Sequence, residues 1–147
     1  MKGDHFQPSL PFLLTGTVQQ GKALGSQLGF PTANIAYRPE GQGFPENGVY
    51  VAVARLKGEN YLAILNQGYH PTLPEGMPTV EAHLIGLPWQ PLYGEELCLE
   101  YRHFLRPEQV FPSLEALRSQ LDADRESALV YACEHCPELI PGAYRQR

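Results

Sequence analysis

A chain of 147 residues is one domain by length and can bury a single hydrophobic core. With 43% hydrophobic and 18% charged residues it is too apolar to remain disordered. The net charge of -5 and the lack of a basic cluster argue against a nucleic-acid partner, and no run approaches the ~20 apolar residues of a membrane helix.

The opening MKGDHFQPSL has no apolar run of the secretory kind, so a cytoplasmic location is expected, with residues 1–10 as a loose arm. Three cysteines, Cys98, Cys133 and Cys136, with no export signal, point to free thiols rather than a disulfide framework. The 14 glycines and 14 prolines predict many turns between short elements.

In chain order, residues 12–18 (FLLTGTV) read as a strand. Residues 19–29 form a loop with glycines at 21, 25 and 29. Residues 32–35 are short and extended after Pro31, and residues 38–47 are a Gly/Pro-rich loop. The valine-rich stretch 49–56 is a buried strand, 57–60 (KGEN) a hairpin turn, and 61–66 the returning strand. A loop over 67–78 precedes an alternating strand at 79–85, and a turn over 86–94 leads to a long strand at 96–104. In that last strand Leu97, Leu99, Tyr101 and His103 are predicted on one face, with Cys98, Glu100 and Arg102 on the other.

The period then becomes helical. Ser113 is the predicted N-cap of a helix over 113–136, Leu114, Leu117, Leu121, Ala128, Leu129 and Ala132 keep helical spacing, and Pro137 closes it. Roughly six strands followed by one helix predict a mainly β fold, a closed six-stranded antiparallel barrel with a C-terminal helix packed on it. The whole of 1–147 is read as one domain.

Thr32 and Asn34 sit two residues apart, so in extended chain they share a face while Ala33 points into the barrel. They offer a hydroxyl and an amide oxygen, both hard neutral ligands. Mg²⁺ takes such ligands and shares its shell with substrate phosphates. The competing reading is that they cap a loop. Backbone N–H groups of the glycine loop could cradle phosphates, with Lys22 adding charge. The loop is not a Walker A motif, and its glycines could equally serve turns. Glu81 stands among Val80, Ala82 and Leu84, sharing its face with His83. A carboxylate there either faces solvent or orients an acceptor hydroxyl for phosphoryl transfer.

Taken in order, the blocks Gly29-Phe30-Pro31-Thr32-Ala33-Asn34, Gly48-Val49-Tyr50, Val80-Glu81-Ala82-His83, Leu92-Tyr93-Gly94, Leu105-Arg106-Pro107-Glu108-Gln109-Val110-Phe111 and Ser113-Leu114-Glu115-Ala116-Leu117 resemble the riboflavin kinase (flavokinase) family over roughly residues 10–132. The resemblance implies a barrel that moves the ATP γ-phosphate onto the 5′-hydroxyl of riboflavin, giving FMN. It implies Mg²⁺ held by Thr32 and Asn34, and Glu81 as the base. Gly21, Lys22, Gly25, Ser26 and Pro31 would belong to the nucleotide site. Arg106 and the start of the last helix would lie near the flavin. The partners implied are small molecules, riboflavin and ATP, acting on a monomer.

Gln67 departs from the family's usual aliphatic residue, with an expected effect on packing beside the site. Many bacterial members carry an N-terminal FMN adenylyltransferase domain. Too few residues precede Phe12 for one, and the Gly25-Ser26-Gln27-Leu28-Gly29 loop resembles the single-function kinases, so FAD synthesis is not expected. Cys133-Glu134-His135-Cys136 has no second Cys/His pair close in sequence to complete a zinc site and does not lie at a strand-to-helix turn, so neither metal binding nor redox work is expected of it. Trp89 and Tyr93 either stack on a flat ring or cover the core. A rival from another class is a flavin- or nucleotide-binding module without catalysis; a third is a barrel acting on a different small alcohol.

Overall fold

The computed structural model describes residues 9–19, 30–38, 43–69, 77–88 and 90–145. Six strands, β1 (Phe12–Gln19), β2 (Ala33–Tyr37), β3 (Gly48–Leu56), β4 (Glu59–Gly68), β5 (Thr79–Leu84) and β6 (Glu96–Arg106), precede one α-helix, α1 (Leu114–His135). The strands close in the order β1-β2-β5-β4-β3-β6, every pairing antiparallel. The expected barrel with its C-terminal helix is therefore what forms.

Alternation explains the packing. Side chains of even phase in β3, Tyr50, Ala52, Ala54 and Leu56, enter the barrel and meet Leu14, Leu65 and Leu99. Alanines at 33, 52, 54, 63 and 82 keep the interior narrow enough to be packed by side chains. The opposite phase, Val49, Val51, Leu62 and Ile64, forms a second core under Ala128, Leu129 and Ala132 of α1. β3 is thus buried on both faces over most of its length, which accounts for its near-continuous apolar run.

The β3–β4 hairpin turns on Lys57 and Gly58, both with positive φ (50° and 82°), so strand pairing runs directly from Leu56 to Glu59. Two residues at positive φ match the twist that antiparallel strands require, and glycine takes the second at no steric cost. Ser113 caps α1, its hydroxyl accepting from the Ala116 N–H at 3.1 Å. Pro137 opens the first of two short 3-10 turns after the helix. Of the predicted arm, residues 1–8 lie outside the described residues, while Leu10 packs against the interior core. The three cysteines are free thiols.

Three expectations need correction. His103 does not share a face with Tyr101: the β3–β6 register shifts between Val51 and Ala52, whose partners are His103 and Tyr101. The extra residue rephases β6, so His103 is exposed and Phe104 packs on Tyr50 at 5.3 Å. Leu114 is 52% exposed rather than packed. Gln67 is not in a loop beside the site. It lies in β4, fully buried inside the barrel, where its amide donates to the Pro45 carbonyl (2.8 Å) and Asn47 (3.0 Å) and accepts from the Tyr101 hydroxyl (2.8 Å).

Gln67→Leu keeps the bulk but strands the Tyr101 hydroxyl and the Pro45 carbonyl. It should lower the unfolding free energy by about 1–3 kcal/mol, the usual cost of unsatisfied buried groups. Urea unfolding measures this, and an unchanged midpoint would show that the three bonds add nothing.

Candidate active site

Register builds the site. Asn34 of β2 pairs with Glu81 of β5, Glu81 with Asn66 of β4, Asn66 with Val49 of β3, and Val49 with Arg106 of β6. Their neighbours Ala33, Ala82, Leu65 and Tyr50 fill the barrel. The row therefore lies on the outer face, and residues separated by more than seventy positions in the chain meet along one line across the sheet.

Thr32 lies one residue ahead of β2, in phase with Asn34, and its hydroxyl donates to Glu81 Oε1 at 3.2 Å. Burial pushes the Glu81 carboxyl above its ordinary value of 4.5, and the Thr32 bond partly offsets the rise. On the same face of β5, His83 sits with Nδ1 2.7 Å from the Pro31 carbonyl oxygen. Burial lowers its pKa, favouring the neutral ring.

Two clefts meet at Thr32, which lines both. The larger, about 320 Å³, lies between the outer face of the barrel and α1, with Glu81 and Asn66 on its floor and Phe111, Leu117 and Leu121 opposite. A mostly apolar wall with a few polar groups is how a flat organic ring is usually held. The smaller, about 220 Å³, runs past Asn34 to Gln90, Leu92 and Tyr93. Tyr93, 69% exposed, thus borders this cleft instead of covering a core, whereas Trp89 lies outside the described residues.

Arg106 lines the larger cleft but is not free in it. Its Nε and Nη2 donate to the Asp124 carboxylate at 3.0 and 2.8 Å, its Nη1 reaches the Pro107 carbonyl, and its guanidinium lies over the Phe111 ring. Asp124 is 3% exposed and also accepts from Gln120 at 3.0 Å. This fork ties β6 to the helix.

The structure thus brings together Pro31, Thr32, Asn34, Glu81 and Arg106 around the two clefts. Gly21, Lys22, Gly25 and Ser26 lie outside the described residues. Sequence reasoning missed Asn66 and Asp124. Asn66 ends a predicted strand, and its placement beside Glu81 depends on a non-local register. Asp124 did carry a signal, since it interrupts the packed helical stripe between Leu121 and Ala128.

For a cation, the donor set is a hydroxyl, two amides and one carboxylate, all hard oxygen donors suited to Mg²⁺. No group of three or more His, Cys, Asp or Glu able to hold a metal exists among the described residues. A divalent ion at Thr32 and Asn34 would therefore draw most of its neutralising charge from a phosphorylated ligand, which fits the open cleft beside them.

Fold and site together define a class: a closed antiparallel barrel with one cleft between its outer face and the helix and a second bordered by inward-facing Val18, Ala82 and Leu84 and by residues 87–88 and 90–93. The chain belongs to the riboflavin kinase family, whose flavokinase model matches residues 8–132. It is 38% identical over 122 residues to the bifunctional riboflavin kinase/FMN adenylyltransferase of Haemophilus influenzae, covering 82% of this chain. The chain spans 39% of that relative's length. The crystal structure of riboflavin kinase from Trypanosoma brucei matches with a TM-score of 0.62 at 26% identity, over 89% of this chain and 81% of that one. A Streptococcus pneumoniae structure described as a macrolide-efflux protein matches with a TM-score of 0.73 at 29% identity, over 80% of this chain and 38% of that one. Among the described residues no helix of this chain is long and apolar enough to cross a membrane.

Because Glu81 has a raised pKa in the fold, its contribution to stability is present below about 4.5 and is lost as pH rises through the folded value. At about pH 7 the ionised carboxylate therefore costs stability, and Glu81→Gln, which still accepts from Thr32, should melt higher than wild type. The gap should close as pH falls below about 4.5, which thermal melts across pH would reveal. A gap constant with pH would point to a different cause. Asp124→Ala should have the opposite effect, lowering stability by about 3–5 kcal/mol by leaving Arg106 unpaired; chemical unfolding checks this.

Proposed function

We propose that the chain phosphorylates the 5′-hydroxyl of riboflavin with ATP, giving FMN and ADP. One observation carries the reading: the Thr32 hydroxyl bonded to Glu81 stands where an apolar, ring-sized cleft meets a more polar one. A two-substrate transfer needs that junction. Riboflavin would occupy the larger cleft, with its isoalloxazine against Phe111 and Leu117 and its ribityl chain directed toward Glu81. Arg106, held by Asp124, would flank the flavin. The nucleotide would take the smaller cleft, with Pro31, Thr32 and Asn34 at its phosphates and Gly21, Lys22, Gly25 and Ser26 as further nucleotide contacts.

In the proposed step the Glu81 carboxylate accepts the proton of the 5′-hydroxyl as that oxygen bonds to the γ-phosphorus. The bond from the γ-phosphorus to the β,γ-bridging oxygen breaks, and ADP leaves with its electron pair. Glu81 later releases the proton to water. Burial suits the carboxyl to this work by bringing its pKa closer to neutral. Charge on the phosphate oxygens would be offset by Mg²⁺ bound with the nucleotide at Thr32 and Asn34.

Incubation with riboflavin, ATP and Mg²⁺ should yield FMN by chromatography, and chelation should stop it. Glu81→Gln should lose about 10²–10⁴-fold in kcat while still folding, the range typical of a lost general base. Thr32→Ala and Asn34→Ala should each weaken Mg-nucleotide binding by about tenfold or more, equivalent to the loss of one good polar contact. A fully active Glu81→Gln would remove it as the base. A folded protein that binds riboflavin without making FMN would favour a non-catalytic module.

A further inference from the structure

The strand that presents Glu81 presents a second polar side chain on the same face, His83, which the proposed chemistry does not use. Its Nδ1 lies 2.7 Å from the carbonyl oxygen of Pro31. A carbonyl oxygen can only accept, so Nδ1 carries the hydrogen and, in the neutral ring, Nε2 is bare. The oxygen it holds belongs to the Pro31–Thr32 peptide. That unit is planar, so fixing the oxygen also fixes the orientation of the Thr32 backbone nitrogen.

The ladder leaves this peptide to other forces. β2 begins only at Ala33, and its register with β5 comprises two pairs, Ala33 with Ala82 and Asn34 with Glu81. Pro31 has no N–H to give. What seats the segment comes from side chains on both sides. The His83 ring meets the Phe30 ring edge-on at 5.6 Å, and the Arg125 guanidinium from α1 lies over Phe30 at 4.8 Å. Phe30 is 4% exposed between them.

We propose that His83 is a positioning residue for the junction of the two clefts: its Nδ1–H holds the Pro31 carbonyl and thereby aims the Thr32 hydroxyl at Glu81. The kinetic consequence rests on the kinase reading; the geometric part does not.

Two experiments separate them. Nitrogen NMR of the His83 ring in the wild-type protein should show a protonated Nδ1 and a bare Nε2. The opposite tautomer overturns the proposal whether or not the protein makes FMN. In kinetics, the Asn amide nitrogen stands close to where Nδ1 stands, whereas the Gln amide reaches the Nε2 position. His83→Asn should therefore stay within about threefold of wild type in the KM for ATP and in kcat, whereas His83→Gln and His83→Leu should lose about tenfold or more, as expected of misplaced reacting groups. A merely structural role would lower thermal stability without separating Asn from Gln. Equal values for Asn and Gln, or a fully active His83→Leu, overturn the proposal. Wild-type protein that shows the Nδ1–H tautomer but forms no FMN would count against the kinase reading alone.

Discussion

The short seam between β2 and β5 is the constraint on which the rest depends. It has two registered pairs, and both matter: Ala33 with Ala82 closes the barrel interior, and Asn34 with Glu81 sets two polar groups together outside. A one-residue slip of β2 would turn the Asn34 amide into the barrel and Ala33 and Ile35 out to solvent, at the cost of burying an unpaired polar group. The narrow interior enforces the register, so the packing of small side chains decides where the polar ones stand.

A second constraint works from the helix side. β3 is buried on one face in the barrel and on the other beneath α1, so it couples two cores. The helix is fixed over Val49, Val51 and Ile64 by Ala128, Leu129 and Ala132, where small residues allow close approach. Toward its N-terminus larger side chains stand off from the barrel, leaving the cleft beneath Leu117 and Leu121. The Arg106–Asp124 fork lies where tight packing gives way to that opening. One helix thus acts as a structural cover at one end and a cleft wall at the other.

Much of this was legible in the residues. Strand alternation, the Lys57–Gly58 turn and the Ser113 cap are local signals, and they located the elements to within a few positions. The pairing order was not local. Nothing near Glu81 in the chain shows that Thr32 and Asn66 flank it, because that follows from closing the sheet in the order β2-β5-β4. The bulge that exposes His103 was equally hidden, since it appears only when β6 is set against β3. Gln67 is hidden for a related reason: a polar residue at the head of a stretch with three prolines resembles a loop until its partners, Tyr101 and Asn47, are known.

The buried Gln67–Tyr101 link and the alanine layers have a consequence for how such a protein can change over time. Among the described residues the barrel interior is packed with side chains, and the larger cleft lies on its outer face. Along β5, outward Glu81 and His83 border the larger cleft, whereas inward Ala82 and Leu84 belong to the core and also line the smaller one. A change at 82 or 84 is therefore felt in the core and in a cleft at once. The helix wall is the freer side: Leu117 and Leu121 border the larger cleft without belonging to the barrel's core, so a lineage can reshape that cleft there and leave the interior volume intact.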